Sequence, residues 1–541
     1  MNKNVFRIDE LLTRDQMKEC STILLDGKTE EKITGDCLCK EVVKVSKSLL
    51  KSGVGDNTKV IIQIQSKKLF IVFVLSLLKI GAVPIILPVN INKNSAMRLE
   101  KICSENSDAV LICDNVGWAF VQAFISELKN KKISAEELFN CKDSNREYEL
   151  KNREYKKNAD TALIIYSSGS TSDPKGIMMT HSGIIHILKE TKILLNLDKQ
   201  DILLSWLPTE HTFGLIYFLL LPIFIGCGQI HLETSRFAEN PLSWLDAIHK
   251  YRASVTAAPN FAYQLVLKTI SENDSWDLSC IRYILNGGEP ISRNVIHDFL
   301  RENKRFNLKD NCIIPIYGMT ETSGAVVFNF PYTEPVIDME CVKTGIDYEL
   351  DSLKVLKNDL VCQGSAIRGC SIKIVDDFGN DLGKMKIGNI QLKGEFLCKG
   401  YFNKESLDLF TDGWLNTGDL GFISESGLFI VGRKKDMFFI HGKNVYMRDI
   451  EQLILNKYGV RSAACGENNA AEEKSKIYLF IELDVNPNNY EDKKVEIIKY
   501  IQHETGIKLS DVIFRDSIFM TQVGKFSKNS LLKIYKGTVK K

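Results

Sequence analysis

The chain has 541 residues, of which 44% are hydrophobic and 26% are charged, and 70 Lys and Arg residues stand against 68 Asp and Glu residues, which gives a net charge of +2. This length exceeds what one hydrophobic core usually holds, so the composition predicts a globular protein of more than one domain. The near-neutral charge does not indicate nucleic acid or an anionic membrane surface as the main partner.

The sequence gives no indication of targeting or membrane insertion. Its first residues, MNKNVFRIDELL, contain no apolar segment of signal-peptide length. The longest apolar stretch, Leu215 to Ile225, is shorter than the roughly 18–20 residues of a spanning helix, and Pro222 interrupts it. The 14 cysteines lack metal-ligand spacing, which favours free thiols in a reducing compartment. We therefore predict a cytoplasmic protein with no membrane span.

The first third of the chain alternates between strand and helix patterns. Residues 1–60 carry helical periodicity, most clearly from Cys39 to Leu50, and Gly53 ends it. Strand-helix-strand units follow, and they predict an α/β fold with doubly wound, mixed or parallel sheets that carry helices on both faces. The predicted units are strand 59–64, helix 69–78, strand 83–88, helix 96–103 and strand 109–113, with a solvated connection at 140–160.

A short strand, Leu163 to Tyr166, opens into a turn rich in small hydroxyl residues. Successive backbone N–H groups and hydroxyls form a concave cradle for an anion, and Lys175 adds a charge suited to phosphate. The alternative is a flexible polar surface turn. A Walker A loop is excluded, because Lys175 precedes Gly176 and no Ser or Thr follows to hold a metal. The predicted phosphate-binding residues are Ser167, Ser168, Gly169, Ser170, Thr171, Ser172 and Lys175.

The segment YSSGSTSDPKG resembles the phosphate loop of the adenylate-forming superfamily. That superfamily includes acyl- and aryl-CoA synthetases, peptide-synthetase adenylation domains, luciferases and fatty acyl-AMP ligases. Most of its members have Gly at the position of Ser172, whereas fatty acyl-AMP ligases commonly carry a similar Thr-Ser pair. The resemblance implies that this loop binds the phosphates of ATP.

The next candidate is a histidine in the segment WLPTEHTFGL, which begins at Trp206. A lone histidine between apolar residues is more often a satisfied core residue than a functional one. The segment is similar to the form found in fatty acyl-AMP ligases, which implies that His211 lies beside the reacting carboxylate and donates to it or gates its pocket. Amino-acid-activating domains usually have an Asp near here to hold the α-ammonium. Phe213 to Leu215 contain none, which favours an acid without a free α-amine.

Two further strands are followed by polar segments, where α/β sheets bind ligands. The first strand, from Val255, leads into Asn260 and Phe261. The second, from Tyr283, leads into a Gly-Gly pair on which a flat ring can lie, although a plain tight turn explains that pair equally well. The segment NGGEP resembles the adenine-binding segment of the superfamily, which implies that role for Gly287, Gly288, Glu289 and Pro290.

The strand that begins at Ile313 ends in the segment YGMTE, where each residue type has a use beside a nucleotide. Tyr317 can stack on a base, Thr320 can donate to a phosphate, and Glu321 can hold Mg²⁺. An exposed strand end is the alternative. The segment matches the superfamily motif in which these roles are found, formed here by Tyr317, Gly318, Met319, Thr320 and Glu321.

A carboxylate and a charged turn mark the end of the large domain. The segment GWLNTGDLG is similar to the ribose-binding motif, which assigns Asp419 to the ribose, whereas capping a turn is its ordinary role. The turn GRKKD lies between apolar runs and is a reasonable hinge. By the resemblance, Arg433 contacts the ribose and phosphate side, and Lys435 holds the hinge position.

From residue 437 the pattern predicts a compact α+β domain, with helices 448–458 and 493–505 and strands 476–483 and 512–515. Near its end, TQVGK resembles the catalytic-lysine loop of the superfamily. This implies that Lys525 reaches the α-phosphate and the carboxylate oxygen, although an isolated Lys in a loop is normally solvated surface. The usual leading Leu-Pro is absent, and Ser527 and Lys528 replace the common ending.

The motifs follow the order of the superfamily from about Ile33 to Lys533. The resemblance implies an adenylate-forming domain at 1–432 with a β-barrel-like subdomain, a hinge at 433–436 and a small mobile domain at 437–541. Residues 329–362 match by length and position an insertion of fatty acyl-AMP ligases. The substrate pocket is expected to include Trp206, His211, Asn260, Phe261, Gly287 and Gly324.

The implied reaction is adenylation of a carboxylic acid by ATP and Mg²⁺, with release of pyrophosphate and transfer of the acyl group to the phosphopantetheine thiol of a carrier protein. Transfer to CoA by an acyl- or aryl-CoA synthetase is the first alternative. An AMP-binding regulator without catalysis is the second, and the presence of Lys525 and Glu321 argues against it. A kinase would produce ADP instead of AMP.

Overall fold

The computed structural model describes most of the chain. The described residues are 7–12, 14–26, 29–88, 92–141, 160–166, 175–334, 341–344, 360–403, 408–440, 443–469, 474–483, 489–505, 507–515, 528, 531–532 and 534–535. The predicted phosphate-loop residues Ser167 to Ser172 and the predicted catalytic Lys525 lie outside them, as do most of the connection at 140–160 and much of the segment at 329–362.

The first part of the chain builds a six-stranded sheet with helices packed against it. Its elements are α1 (Ile8–Leu11), α2 (Arg14–Glu19), β1 (Thr22–Asp26), β2 (Thr29–Ile33), α3 (Gly35–Lys51), β3 (Lys59–Gln63), α4 (Lys67–Lys79), β4 (Val83–Ile86), α5 (Lys93–Glu105), β5 (Val110–Cys113), α6 (Asn115–Phe124), β6 (Lys131–Ser134), α7 (Ala135–Asn140), β7 (Thr161–Tyr166) and β8 (Gly176–Thr180). The sheet order is β6-β5-β3-β4-β7-β8, and all neighbours are parallel except β7 and β8. The predicted alternation of strand and helix is confirmed.

Helix α4 shows why this part of the sequence folds as it does. The Ser66 side chain caps it by accepting a hydrogen bond from the backbone N–H of Leu69. Every residue from Phe70 to Leu78 is buried. A helix that is apolar on all sides belongs in the interior of a layered domain, which is where α4 lies.

The second part of the chain builds the sheet that carries most of the predicted site. Its elements are α8 (His181–Leu194), β9 (Ile202–Ser205), α9 (Thr212–Gly214), a π-helix (Leu215–Leu220), α10 (Leu221–Ile225), β10 (Gly228–Leu232), α11 (Thr234–Glu239), α12 (Ser243–Tyr251), β11 (Val255–Ala257), α13 (Asn260–Thr269), β12 (Tyr283–Asn286), α14 (Arg293–Asn303), a 3₁₀ turn (Lys304–Phe306), β13 (Ile313–Met319), a 3₁₀ turn (Thr320–Thr322) and β14 (Gly324–Phe328). The order is β14-β13-β12-β11-β9-β10-β1-β2, and the strands from β13 to β1 are parallel.

Two sequence-based expectations for these parts are wrong. Helical periodicity was expected throughout 1–60, but residues 22–33 form the β1–β2 hairpin, and β1 pairs with β10 about 200 residues further along the chain. Pro222 was expected to interrupt the apolar stretch, but it lies in the first turn of α10, where a proline needs no N–H partner. In the part of the chain that the structure describes, no helix is both long and apolar enough to cross a bilayer.

The third part is a mainly antiparallel layer that continues the second sheet. Its strands are β15 (Lys343–Thr344), β16 (Cys362–Ala366), β17 (Ser371–Val375), β18 (Lys386–Lys393), β19 (Phe410–Thr411), β20 (Trp414–Ser424) and β21 (Gly427–Arg433). Strands β15 and β18 pair in parallel. Strand β16 pairs with β14, and a separate apolar core includes the stacked rings of Phe422 and Phe429. This is the subdomain expected to be barrel-like, and its described strands pair as an open sheet.

The last part is the predicted α+β domain. After a 3₁₀ turn (Lys434–Asp436) it contains β22 (Met437–Ile440), β23 (Lys443–Tyr446), α15 (Met447–Tyr458), β24 (Ser462–Asn469), β25 (Lys474–Ile481), α16 (Tyr490–Thr505) and β26 (Asp511–Phe514). Its own core joins α15 and α16 to a three-stranded sheet. The small C-terminal domain is therefore present, and all 14 cysteines of the chain are free thiols.

A buried carboxylate ties three parallel strands together at their amino ends. Asp201, which precedes β9, is 3% exposed. Both of its oxygens accept from Nη1 of Arg282, each at 2.7 Å, and Oδ1 also accepts from Oγ of Ser254 at 2.7 Å. Ser254 precedes β11 and Arg282 precedes β12, so one charge fixes the starts of three neighbouring strands.

We expect Arg282→Ala to lower the free energy of unfolding of the large domain by about 2–4 kcal/mol, because it leaves the buried Asp201 carboxylate without its main partner. Differential scanning calorimetry of the full chain measures this as a lower transition temperature. The control is Arg301→Ala, since the exposed ion pair between Arg301 and Asp298 contributes less than about 0.5 kcal/mol to the free energy of unfolding. Equal losses in the two variants would contradict the prediction.

A second buried carboxylate lies in the C-terminal domain. Asp449 on α15 is buried, and its Oδ1 has no hydrogen-bond partner among the described residues. Burial raises the pKa of this carboxyl from 3.8 to about 8. A raised pKa means that the folded chain binds the proton more tightly than the unfolded chain, so stability decreases as the pH rises from about 4 to about 8.

We expect Asp449→Asn to raise the melting temperature at pH 8 and to change it little near pH 4, because the amide has no proton to lose. Thermal unfolding of the full chain across this pH range measures the difference. Asp492→Asn, an exposed acid of the same domain, should leave the pH dependence as in the original chain. A constant difference between Asp449→Asn and the original chain at all pH values would refute the assignment.

Candidate active site

The predicted site residues follow strands whose carboxyl ends lie at one edge of the second sheet. Residues that follow neighbouring strands contact one another directly at that edge. The rings of Trp206, after β9, and Phe261, after β11, meet edge to face with centroids 5.9 Å apart. The backbone N–H of Phe261 donates to Oε1 of Glu289, after β12, at 2.6 Å. The edge therefore forms one continuous surface, at the place where parallel sheets bind ligands.

His211 lies at the start of a helix on this edge. It is the N-cap of α9, and its Nδ1 accepts from the backbone N–H of Phe213 at 3.4 Å. A neutral ring in this arrangement carries its proton on Nε2. The next residue, Thr212, places Oγ1 3.0 Å from Oγ1 of Thr320, so the structure brings the histidine segment and the YGMTE segment together.

The second glycine of the Gly-Gly pair presents bare backbone. A side chain at Gly288 would meet nothing within 4 Å, so the backbone there is open to a flat ligand. Gly287 packs against Ile316 of the neighbouring strand β13. The loop is held in place at its far end, where the Oδ1 of Asn260 accepts from the backbone N–H of Ser292 at 3.2 Å.

Asp419 joins the parallel sheet to the antiparallel layer. It is buried within β20, where its Oδ2 accepts from the Tyr317 hydroxyl at 2.8 Å and its Oδ1 accepts from Nε of Arg433 at 3.0 Å. Burial raises the pKa of Tyr317, and the Asp419 charge raises the pKa of Arg433. Tyr317 therefore remains a donor and Arg433 remains a cation, and the three predicted nucleoside residues form one cluster.

The turn after β13 is shaped by Gly318 and Thr322. A Cβ on Gly318 would lie 2.1 Å from the carbonyl oxygen of Gly324, so only glycine allows β13 and β14 to approach this closely. Oγ1 of Thr322 accepts from the N–H of Met319 at 2.9 Å and is 2.6 Å from the Gly324 oxygen. These contacts fix the 3₁₀ turn in which Thr320 and Glu321 lie.

Tyr401 is a site residue that the sequence reasoning missed. Its hydroxyl donates to Oε1 of Glu321 at 3.2 Å, and Nζ of Lys175 lies over its ring, 4.5 Å from the centroid. Burial raises the pKa of Tyr401, which keeps the hydroxyl protonated and able to donate. The phenol therefore links the end of the predicted phosphate loop to the predicted metal residue.

The segment around Tyr401 also joins the two sheets by backbone bonds. The N–H of Phe402 donates to the carbonyl of Gly176 at 2.7 Å, and the N–H of Cys398 donates to the carbonyl of Glu321 at 2.8 Å. Strand β8 and the turn that carries Glu321 are thus fixed to one short segment. The signal in the sequence was the KGYFN run after β18, whose aromatic and glycine residues follow a strand as in the other motifs.

The remaining predictions have separate outcomes. Gly324 begins β14 and faces Tyr217, and Lys435 lies in the 3₁₀ turn Lys434–Asp436. Among the described residues, no group of three or more acidic, histidine or cysteine side chains could hold a metal by itself. Magnesium is commonly bound by one or two carboxylates together with substrate phosphates, so a single carboxylate such as Glu321 fits a metal that arrives with a nucleotide.

Comparison with known proteins identifies the family. Residues 13–402 match the family model described as AMP-binding enzyme. The chain belongs to this family. Its mixed α/β sheets and small C-terminal domain are the architecture that the sequence resemblance implied.

Several AMP-binding enzymes are similar to this chain over much of its length. The protein of Mycobacterium tuberculosis named as ligase Rv1013 is 33% identical over 311 residues, which are 56% of this chain and only 57% of that protein. The protein named long-chain-fatty-acid–AMP ligase FadD30, from the same species, is 29% identical over 69% of this chain and 70% of its own length. JamA of Moorena producens, named a medium-chain-fatty-acid–[acyl-carrier-protein] ligase, is 27% identical over 71% and 69%.

Solved structures of fatty acyl-adenylate ligases are also similar to this chain. A structure from a study of fatty acyl-adenylate ligases of E. coli and L. pneumophila has a TM-score of 0.85 and 25% identity, and it covers 98% of both chains. The family and these relatives show that this AMP-binding enzyme is an adenylate-forming ligase.

We expect Tyr401→Phe to lower kcat by about tenfold while the KM for the acid changes less than about twofold, because a hydrogen bond to a charged group is lost and the ring beside Lys175 remains. Acid-dependent pyrophosphate release measures both constants. Tyr490→Phe, on α16, is the control and should match the original enzyme. An unchanged kcat in Tyr401→Phe would show that this bond does not orient Glu321 for the reaction.

Proposed function

We propose that this enzyme converts a carboxylic acid without a free α-amine to an acyl-adenylate and passes the acyl group to the phosphopantetheine thiol of a carrier protein. The observation that carries the proposal is the cluster of Asp419, Tyr317 and Arg433, which lies at the same end of β13 as the contact between Thr212 and Thr320. One end of the site suits a nucleoside and the other suits a carboxylate next to phosphates.

The nucleoside roles follow from the groups present. The bare backbone at Gly288 gives a surface on which adenine can lie, with Gly287, Glu289, Pro290 and Tyr317 around it. The Asp419 carboxylate retains lone pairs beyond the two bonds it makes, so it can accept from ribose hydroxyls. Arg433 keeps its charge on the ribose and phosphate side.

The phosphate roles fall to residues at the opposite end of the cluster. We assign the triphosphate to Ser167, Ser168, Gly169, Ser170, Thr171, Ser172 and Lys175, with Thr320 and the backbone of Gly318 and Met319 beside the α-phosphate. The fixed carboxylate of Glu321 would hold Mg²⁺, which would neutralise charge on the phosphate oxygens when it is bound.

In the first step, a carboxylate oxygen of the substrate bonds to the α-phosphorus while the bond from that phosphorus to the bridging oxygen breaks, and pyrophosphate leaves with the electron pair. His211 donates from Nε2 to the substrate carboxylate and orients it, and Lys525 neutralises charge on the α-phosphate. Positioning and charge neutralisation account for most of the catalysis in such a step. In the second step, a thiolate attacks the acyl carbon and AMP leaves.

The choice of substrate rests on the position after His211. That position is Thr212, whose hydroxyl is engaged with Thr320, and Phe213 to Leu215 follow without an acid that could hold an ammonium. Trp206, His211, Asn260, Phe261, Gly287 and Gly324 line the proposed pocket. The name of JamA, which includes an acyl carrier protein as the acceptor, supports the same acceptor here.

The domain division belongs to this proposal. We infer an adenylate-forming domain at 1–432, a hinge at 433–436 that pivots near Lys435, and a lid at 437–541 that brings Lys525 to the site. The free state of all 14 thiols supports a reducing, cytoplasmic location.

The test is an assay with ATP, Mg²⁺ and a panel of carboxylic acids, followed by either CoA or a phosphopantetheinylated carrier protein. We expect acid-dependent release of pyrophosphate and AMP, and transfer to the carrier at least about tenfold faster than to CoA. ADP as the product would overturn the adenylating role. Efficient acyl-CoA release would replace the carrier with CoA as the acceptor.

A pair of lysine variants tests the assignment of the catalytic lysine. We expect Lys525→Ala to lower acid-dependent pyrophosphate release by at least about 100-fold, because the charge on the α-phosphate is then uncompensated. Lys508→Ala removes an exposed lysine of the same domain and should have no effect. Equal activity of the two variants would exclude Lys525 from the reaction.

A further inference from the structure

One helix runs from the carboxylate end of the proposed pocket to its closed end. His211 caps its start, Thr212 contacts Thr320, and the chain then continues as the π-helix Leu215–Leu220. A π-helix is rare and is frequently found at functional sites, where it turns side chains that a regular α-helix would place elsewhere. Tyr217 lies within this π-helix and is 2% exposed.

The Tyr217 side chain is fixed against β14. Its hydroxyl accepts from the N–H of Ala325 at 2.7 Å and lies 3.2 Å from the carbonyl oxygen of the same residue, to which it can donate. Its ring meets Phe213 edge to face at 5.6 Å between centroids. The two hydrogen bonds to the Ala325 backbone and the contact with Phe213 together fix the phenol in one position.

Gly324 shows which space this phenol occupies. Its φ is +150°, and a Cβ added there would lie 2.9 Å from Oη of Tyr217 and 3.1 Å from Cγ2 of Ile187. The wall of the proposed pocket thus has no side chain of its own at Gly324, and the hydroxyl end of Tyr217 fills the position instead. The space beside Gly324 is therefore filled by a residue of the helix rather than by a side chain of the sheet.

Stacked aromatic rings hold a second part of the proposed pocket, around Trp206, in a fixed position. The ring of Trp206 stacks on Phe237 with centroids 3.8 Å apart, and Phe261 packs on Trp206 edge to face. Phe237 in turn contacts the buried ring of Trp244. A stack of this kind in a close-packed core does not yield to a longer substrate without loss of packing.

We propose that Tyr217 sets the length of the acid that this enzyme accepts, by stopping the hydrocarbon end of a short or medium-length acid at its ring. The proposal rests on the adenylating function proposed above and names the substrate class for that site. It distinguishes this chain from a ligase for long-chain fatty acids. The pocket would lengthen by the space of the phenol, about three to five methylenes, if Tyr217 were replaced by a small residue.

The test is acid-dependent pyrophosphate release with straight-chain acids from butanoic to hexadecanoic acid. For the original enzyme we expect kcat/KM to peak within the panel and to fall at least about tenfold for hexadecanoic acid. Tyr217→Ala should move the peak by about three to five methylenes, mainly through the KM for the acid. Tyr217→Phe keeps the ring and opens only the space of the hydroxyl beside Gly324, so it should move the peak by about one methylene at most.

Folding controls keep the outcomes separate. Tyr217→Leu removes the end of the ring with less cavity and should shift the peak in the same direction as Tyr217→Ala, and melting temperatures establish which variants fold. Unchanged length profiles in folded Tyr217→Ala and Tyr217→Leu would overturn this proposal alone. Absence of acid-dependent release from the original enzyme with every acid would overturn the adenylating function as well.

Discussion

The buried carboxylate of Asp419 is the constraint on which the rest of the site depends. Once removed from water, it requires partners, and it finds Tyr317 on β13 and Arg433 at the end of β21. The parallel sheet and the antiparallel layer are thereby fixed to each other at one point. Arg433 is the last residue of β21, and the turn Lys434–Asp436 follows at once. A ligand that competes for Asp419 therefore acts on Arg433, the first residue of the proposed hinge.

A second junction keeps two opposite charges close together without pairing them directly. Tyr401 presents its ring to the Lys175 ammonium and its hydroxyl to Glu321. The ring face attracts a cation, while the hydroxyl satisfies only one oxygen of the carboxylate. A direct ion pair would have neutralised both groups. The phenol spaces them instead, which leaves the ammonium suited to phosphate and the carboxylate suited to a metal ion.

The C-terminal domain contacts the segment that follows the proposed adenine loop. From α15, Nη2 of Arg448 donates to the Ile291 carbonyl at 3.2 Å, and Nε2 of Gln452 donates to the Ser292 hydroxyl at 3.4 Å. Both bonds reach the residues just beyond Pro290. Contacts between the domains of one chain permit relative movement unless the interface is large and apolar. This agrees with a lid that changes position between the adenylating and transfer steps of the proposed cycle.

The sequence was most informative where a local pattern determines the structure. The strands around Tyr166, Leu285 and Ile316 and the order of the motifs could be predicted, because apolar runs that end in polar turns carry their own signal. The β1–β10 pairing could not, since its partners are about 200 residues apart. Tyr401 was missed for a related reason: its role appears only when the segment 398–402 crosses β8 and the turn at Glu321.

The same limit of sequence-based prediction applies to the contact between Tyr217 and Gly324. This contact is the basis of the proposed selection of the acid by its length. In the sequence, Gly324 is only one of the expected pocket residues, and Tyr217 is one residue among many in an apolar run. Only the π-helix brings them together. His211, which caps the helix, and Tyr217 then lie six residues apart on one continuous segment from α9 into the π-helix. Because His211 and Tyr217 lie on one continuous helical segment, their separation does not depend on how the domains move. Selection by length would therefore be the same in the adenylating and transfer states.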